Sequence, residues 1–476
     1  MKVENSKFLE KKKNIAKKLV LELRKSYKYV SILGTDCVGK QYSVSKKTTS
    51  ISDTLWKERG FVVRVFNGFN YTEHSFNEFN EENFSEVITK IKKEVGYSLE
   101  LKSKNIQLSE YPLIIEEKIE KQFFSEVQLN PENFPIEEVL KKLKDLTNSF
   151  YKFSPHIIDS KAVFEWVKVS KFFISENKEL EQSYMWSQLY VIPIVLKDGN
   201  TKYIYKAFSG LKGIEILNEV KEEYMKKEIL KLEKLLSAKR IKPGEYDVIC
   251  SPEIAGLIAH EAFGHGVEMD MFVKNRAKAQ EYMNNRVASE LVQMHDGAKS
   301  AQHVSSYFFD DEGVLSKDTI IIEKGILKKG INDILSAIKL NVEPTGNGKR
   351  ESFENKVYSR MTNTFFSPGK DKLEDMISKI DSGFMLTDEL SGMEDPKNWG
   401  IQCLLLTAIE IKDGKLTENY YSPVIVTGYV PDVLKNIDMI SDEFELFGSG
   451  ACGKGYKEYV KVSCGGPFIK TKVRLG

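Results

Sequence analysis

The stretch SPEIAGLIAHEAFGHG, residues 251–266, has the most sharply marked helix start in the chain and also carries its densest chemistry. Ser251 stands where an N-cap residue is expected, Pro252 at the first helical position and Glu253 in the first turn. These three placements together mark a helix beginning at Ser251. Upstream, Pro243-Gly244 closes the preceding element, and Tyr246 to Cys250 reads as a short buried strand. The helix is therefore expected to be buried and to stop near Gly266.

Within it, His260-Glu261-Ala262-Phe263-Gly264-His265 resembles the zinc-peptidase pattern H-E-x-x-H with one extra residue between the histidines. A spacing of four puts both imidazoles on one helix face, where the adjacent Glu reaches the attacking water. With a spacing of five, His265 falls about 140° around a regular α-helix from His260. One ion can then be shared only if the helix widens into a π-bulge or unwinds locally, a distortion that recurs at functional sites. Gly264 is suited to such a distortion, because glycine relaxes the backbone limits. The bland alternative is chance clustering on a buried helix, but the chain has only 6 histidines and two of them flank this acid. Two histidines leave a catalytic zinc one protein ligand short, and Cys, Asp or Glu can complete the set.

The chain around this helix is 476 residues long, more than one core usually supports, and is divided into residues 1–238 and 239–476. An apolar content of 41% fits a globular protein, and 70 Lys and Arg against 69 Asp and Glu give a net charge of +1. That balance supplies no global field for nucleic acid or an anionic membrane. The first residues carry no uninterrupted apolar run followed by a small-residue cleavage site, so a secretory signal is not expected, and no stretch reaches the roughly 18 apolar residues that a bilayer crossing needs. Five scattered cysteines, Cys37, Cys250, Cys403, Cys452 and Cys464, are too few for a disulfide scaffold and point to a reducing, cytoplasmic setting. Cys250 and Cys403 sit in apolar runs and read as core.

The first half reads as mixed α and β. An amphipathic helix with a solvated basic face is expected from Lys7 to Tyr27, and strands over Tyr42 to Ser52 and Phe61 to Phe66. A hairpin joins Tyr184–Leu196 to Tyr203–Phe208 through Asp198-Gly199-Asn200. Ile214 to Ala238 reads as one long charged helix, and residues 81–180 give no specific signal. Gly34-Thr35-Asp36-Cys37-Val38-Gly39-Lys40 fits a phosphate-loop pattern, but Gln41 replaces the Mg²⁺-binding hydroxyl and a strand-like run follows. Nucleotide binding is therefore not expected. Asp310, Asp311 and Glu312, followed by Gly313, read as an acidic turn rather than a cation site. His74, His156, His295 and His303 have no acid or ligand at useful spacing.

HEAFGHGVEMD, FFDDEG (308–313), PTGNGKRES (344–352), RMTNTFFSPG (360–369) and GSGACGKG (448–455) together resemble, in order, segments of the TldD/PmbA family, modulators of DNA gyrase that are metallopeptidases. The likeness spans nearly all of residues 240–476 and is looser over Lys40 to Phe76; LSGMEDPKNWGIQ (390–402) replaces a glycine-rich stretch common in the family. The resemblance implies an α+β fold, with a mixed amino-terminal half and a β-rich carboxy-terminal half that holds the HEAFGH helix between strands. It also implies Zn²⁺ held by His260, His265 and Cys452, with Glu261 as the base; Cys464 is the next candidate for the third ligand. Because the H-E-x-x-x-H motif is intact, the chain is similar to the TldD-type member. A zinc-dependent peptidase acting on unfolded peptides is the implied function, as a homodimer or with a PmbA-like partner, without nucleic acid or membrane. A modulatory zinc protein without turnover and a non-peptidase zinc hydrolase are the alternatives.

Overall fold

The computed structural model describes residues 1–104 and 106–476. Alternating apolar residues build a nine-stranded sheet in the first half. Its central path runs Tyr71–Phe76, Glu58–Phe66, Val30–Val44, Ile157–Ser175, Lys178–Lys197 and Ile119–Phe124. The helix Lys7–Arg24 covers one face, burying Leu9, Ile15, Leu19 and Leu23, while Lys7, Lys11 and Lys18 face outward and Lys13 and Lys17 pair with Glu179 of the sheet. The helix Ile136–Ser149 packs through Val139 and Leu143 into a separate core with Phe164 and Leu189.

Some sequence expectations hold here and others change. Val30–Val44 is one 15-residue strand that runs straight through Gly34–Lys40, so no phosphate loop forms. Gly34 lies beneath the Phe172 ring, where an added Cβ would sit 2.6 Å from Cζ. The expected strand Tyr42–Ser52 is interrupted instead: residues 45–48 turn, and Thr49 pairs back with Val44. Asp198 and Gly199 take positive φ (50° and 77°), the geometry of the expected hairpin turn. The run Tyr203–Phe208 splits into two short strands, Asn200–Tyr203 and Lys206–Gly210. The long helix over Ile214–Ala238 is likewise broken. Ile214–Asn218 is a 3₁₀ turn and the α-helix is Glu222–Leu235. The turn is held away from the helix because Ile214 donates to Leu129 O and Glu215 accepts the N–H groups of Gln128 and Leu129.

In the second half, Gly244–Cys250, Ser382–Asp395, Gly400–Lys412, Val424–Tyr429 and Ile469–Leu475 form a sheet that closes on itself, since Gly244–Cys250 pairs with both Ser382–Asp395 and Ile469–Leu475. A six-stranded sheet contains Met294–Asp296, Asn363–Phe366 and Ser463–Gly466. The predicted helix lies between these sheets, with Ile254, Leu257, Ile258 and Phe263 in the largest apolar core. Helices and sheets are mixed, the second half is β-rich, and the fold is α+β. Gly256 permits the approach: an added Cβ would stand 2.4 Å from Gly465 N.

Asp310, Asp311 and Glu312 form a buried turn that ties the halves together. Asp310 accepts the N–H groups of Glu312, Val314 and Gly348, Asp311 pairs with Lys171, and Glu312 pairs with Arg64. Among the described residues, no helix is long and apolar enough to cross a membrane.

Candidate metal centre

Ser251 and Pro252 start the helix as expected, with Ser251 in extended backbone, although its hydroxyl makes no capping bond. Pro252–Leu257 is α-helical, Ile258–Gly264 winds as a π-helix, and His265–Val267 is a 3₁₀ turn. The His265 N–H donates to His260 O, an i→i+5 bond. This wider turn absorbs the extra residue and brings the imidazoles to a ring-centroid separation of 5.2 Å. Gly264 faces Met361, whose Sδ would be 2.1 Å from an added Cβ, so a side chain at this position collides with the core.

The third group arrives from the far end of the chain. Ala451–Lys454 and Glu458–Lys461 form a two-stranded ribbon with Cys452 opposite Val460. Arg360, fully buried, holds the ribbon by donating to Cys452 O and to Glu458 O. The donor atoms of His260, His265 and Cys452 all lie within 4.8 Å of one another. Cys452 Sγ is 3.5 Å from His265 Nε2, and Glu261 Oε2 is 4.0 Å from the same nitrogen. Cys464 is not part of this cluster; its strand backs the helix at Gly256 instead. Cys250 and Cys403 are core residues, 1% exposed each. His74, His156 and His295 contact Glu94, Glu233 and Asp318, far off in sequence, which spacing alone could not reveal.

Burial works against a thiolate at Cys452, but His260 and His265 overcome it and hold its pKa well below the usual thiol range. Burial also opposes a charge on His265, and Glu268 together with Cys452 raises its pKa well above the usual value. Taking the hydrogen-bond network as the guide to tautomer, His265 Nδ1–H donates to Glu268 at 3.2 Å, leaving Nε2 toward Cys452. Burial raises the Glu268 pKa, but Lys454 and His265 bring it down to about 2. Lys454 donates to Glu268 at 3.0 Å and to Asp270 at 2.7 Å. Sequence reasoning missed Glu268, Lys454 and Arg360. The only signal was their place in the family-like segments HEAFGHGVEMD, RMTNTFFSPG and GSGACGKG, because Glu268 lies in extended backbone beyond the helix and its spacing alone did not mark it.

The group opens on a cleft of about 820 Å³, whose other wall includes Gly392, Met393 and Glu394 from the 390–402 segment. Gly392 lies so close that an added Cβ would be 2.5 Å from Glu261 Cγ. The donor set fits a metal ion. It combines a thiolate with two imidazoles, and the buried His260 Nδ1 has no hydrogen-bond partner.

The family model described as the PmbA/TldA metallopeptidase C-terminal domain matches residues 243–471. The Metalloprotease MJ0996 of Methanocaldococcus jannaschii is 31% identical over 422 residues, covering 87% of this chain and 89% of that protein. The zinc metalloprotease TldD homolog of Saccharolobus solfataricus is 29% identical over 307 residues, 63% of this chain and 67% of that protein. The fold is also that of the crystal structure of TldE from Thermococcus kodakarensis, with a TM-score of 0.76 at 17% identity over 97% of this chain and 100% of that one. With a likeness of 31% identity over 87% of the chain added to the ordered motifs and the convergent donor set, the chain belongs to the TldD/PmbA family of metallopeptidases.

Proposed function

We propose that the chain is a zinc-dependent peptidase that cleaves unfolded peptides, with His260, His265 and Cys452 as the metal ligands and Glu261 as the general base. The observation that carries this reading is the convergence of three donors from two distant segments within 4.8 Å, with a carboxylate oxygen 4.0 Å from one of them. The Saccharolobus solfataricus relative, named a zinc metalloprotease, supports zinc as the metal. Zinc in such a donor set acts as a Lewis acid on the scissile carbonyl and acidifies a water.

The remaining chemistry belongs to the chain's own residues. Glu261, with its side chain 18% exposed on the cleft, takes the proton of the attacking water and passes it to the leaving amine. Glu268 fixes the His265 tautomer, and Lys454 keeps Glu268 ionised. The open cleft supports an extended, unfolded segment as substrate. The five free cysteines support a cytoplasmic site of action. For assembly we propose a dimer, with a second copy or with a PmbA-like chain, and no nucleic-acid or membrane partner.

Elemental analysis of protein purified without added zinc tests the centre. Near-stoichiometric zinc in wild type and none in Cys452→Ala is expected. Glu261→Gln should retain zinc and lose peptide cleavage, and an active Gln variant would remove Glu261 from the chemistry. A protein that holds zinc but turns over no peptide would favour the modulatory alternative, and turnover of esters alone the non-peptidase hydrolase.

A further inference from the structure

On the far side of the ribbon that carries Cys452, where the first sheet meets the second half, lies a separate pocket of about 80 Å³. Trp56, Tyr184, Trp186 and Tyr307 line it, the two indoles meeting edge to face at 6.0 Å. The ionisable groups around it are nearly all engaged. Lys171 is paired with Asp311 and Arg350 with Glu73. Glu58 accepts the Phe353 N–H and faces the Cys37 thiol, Glu351 accepts the Tyr459 N–H, and Asp310 and Asp311 accept the backbone bonds of Gly348 and Arg350. Lys349 reaches three neutral oxygens, those of Ser305, Met361 and Lys461.

Lys461 differs. It is 8% exposed, yet its ammonium makes one hydrogen bond, to Gln188 Oε1 at 2.5 Å, and has no carboxylate contact among the described residues. It stands 4.9 Å from the centroid of the Trp186 ring. An ammonium carries three donors, so two N–H groups remain to be satisfied inside a low-dielectric pocket, an arrangement that favours an anion. Burial opposes the charge and pulls the Lys461 pKa down, with Glu165 pushing back; an anion beside Nζ would restore the charged form. The pocket is small and bounded by aromatic side chains, which suits a short organic acid.

We propose that this pocket binds a small monocarboxylate, its carboxylate on Lys461 Nζ and its apolar end against Trp56 and Trp186. The test is a titration of the full chain as purified followed by tryptophan fluorescence, replacing sodium chloride with sodium propionate at constant ionic strength. Lys461 lies outside the His260, His265 and Cys452 group, so loss of the response in Lys461→Met makes the result independent of the peptidase reading. A saturable response is expected for propionate and none for propionamide, with affinity at least tenfold weaker in Lys461→Met. Trp56, half-buried at the mouth, gives a second variant that leaves the core intact, and Trp56→Ala should weaken propionate binding at least threefold. N-acetylglycine distinguishes the sources: weaker binding than propionate marks a free acid as the ligand, tighter binding the carboxyl end of a peptide. No saturable response, an equal response to propionamide, or unchanged affinity in Lys461→Met or Trp56→Ala would overturn the proposal.

Discussion

Gly392→Ala isolates the position of Glu261 from every other feature of the centre. The added methyl would lie 2.5 Å from Glu261 Cγ and 2.9 Å from Leu257 Cδ1. Carbon atoms normally pack at about 3.5–4.0 Å, so one group must retreat by about 1 Å. Leu257 is 6% exposed in the main core, whereas the Glu261 side chain borders the cleft and has room to yield. A displacement of about 1 Å in a catalytic group costs roughly 100-fold in rate, which corresponds to about 2.7 kcal/mol of barrier. The stability cost is that of mild overpacking, at the lower end of about 1–3 kcal/mol. Glu261 is not one of the three donors, so metal content should not change. The assay is kcat/KM on an unstructured peptide, alongside zinc per chain and a urea melt of the same preparation. Activity within threefold of wild type, with zinc and folding intact, would refute the contact between Gly392 and Glu261 as a determinant of the rate.

Glu268→Gln should weaken metal affinity about 10–100-fold, read by competition with a chromogenic chelator, because His265 loses the carboxylate that orients it. Cys464→Ala should keep metal at one per chain by elemental analysis; a loss would place Cys464 in the donor set. Gly264→Ala should destabilise the fold by about 1–3 kcal/mol in urea, since the new Cβ strikes Met361 Sδ, and adding Met361→Ala should recover part of that. Asp388 is buried, which raises its pKa, but Lys206 and Lys231 outweigh this and hold the carboxyl well below its ordinary range. Its stabilisation is therefore complete at neutral pH and is lost as pH falls below the unfolded value of about 3.9. Because Glu228 still pairs with both lysines, Asp388→Asn should cost about 1.5–3 kcal/mol at pH 7 and flatten the acid limb of the urea stability profile, while leaving φ at its positive value acceptable.

The local chemistry of residues 251–266 was legible without coordinates. Pro252 and Glu253 mark a helix start, and a five-residue histidine spacing requires a widened turn if both rings are to meet. The hairpin at Asp198-Gly199 was equally local, because its positive φ values suit those residues. The continuous strand Val30–Val44 was not legible, since Gly34 and Gly39 resemble loop residues until Phe172 and the Trp166 carbonyl are seen packed against them. The break after Ile214–Asn218 was hidden for the same reason, being set by Leu129 and by Glu215, which reaches back across the chain. By itself the sequence determined which groups can bind a metal and where a helix begins, because donor chemistry, capping and periodicity act over a few residues. Spacing left the third donor open and only the family resemblance pointed to Cys452; the tertiary structure brings Cys452 and not Cys464 beside the histidines, and it alone decided that Glu268, Lys454 and Gly392 surround them, because those contacts form between strands whose pairing is fixed by the whole core.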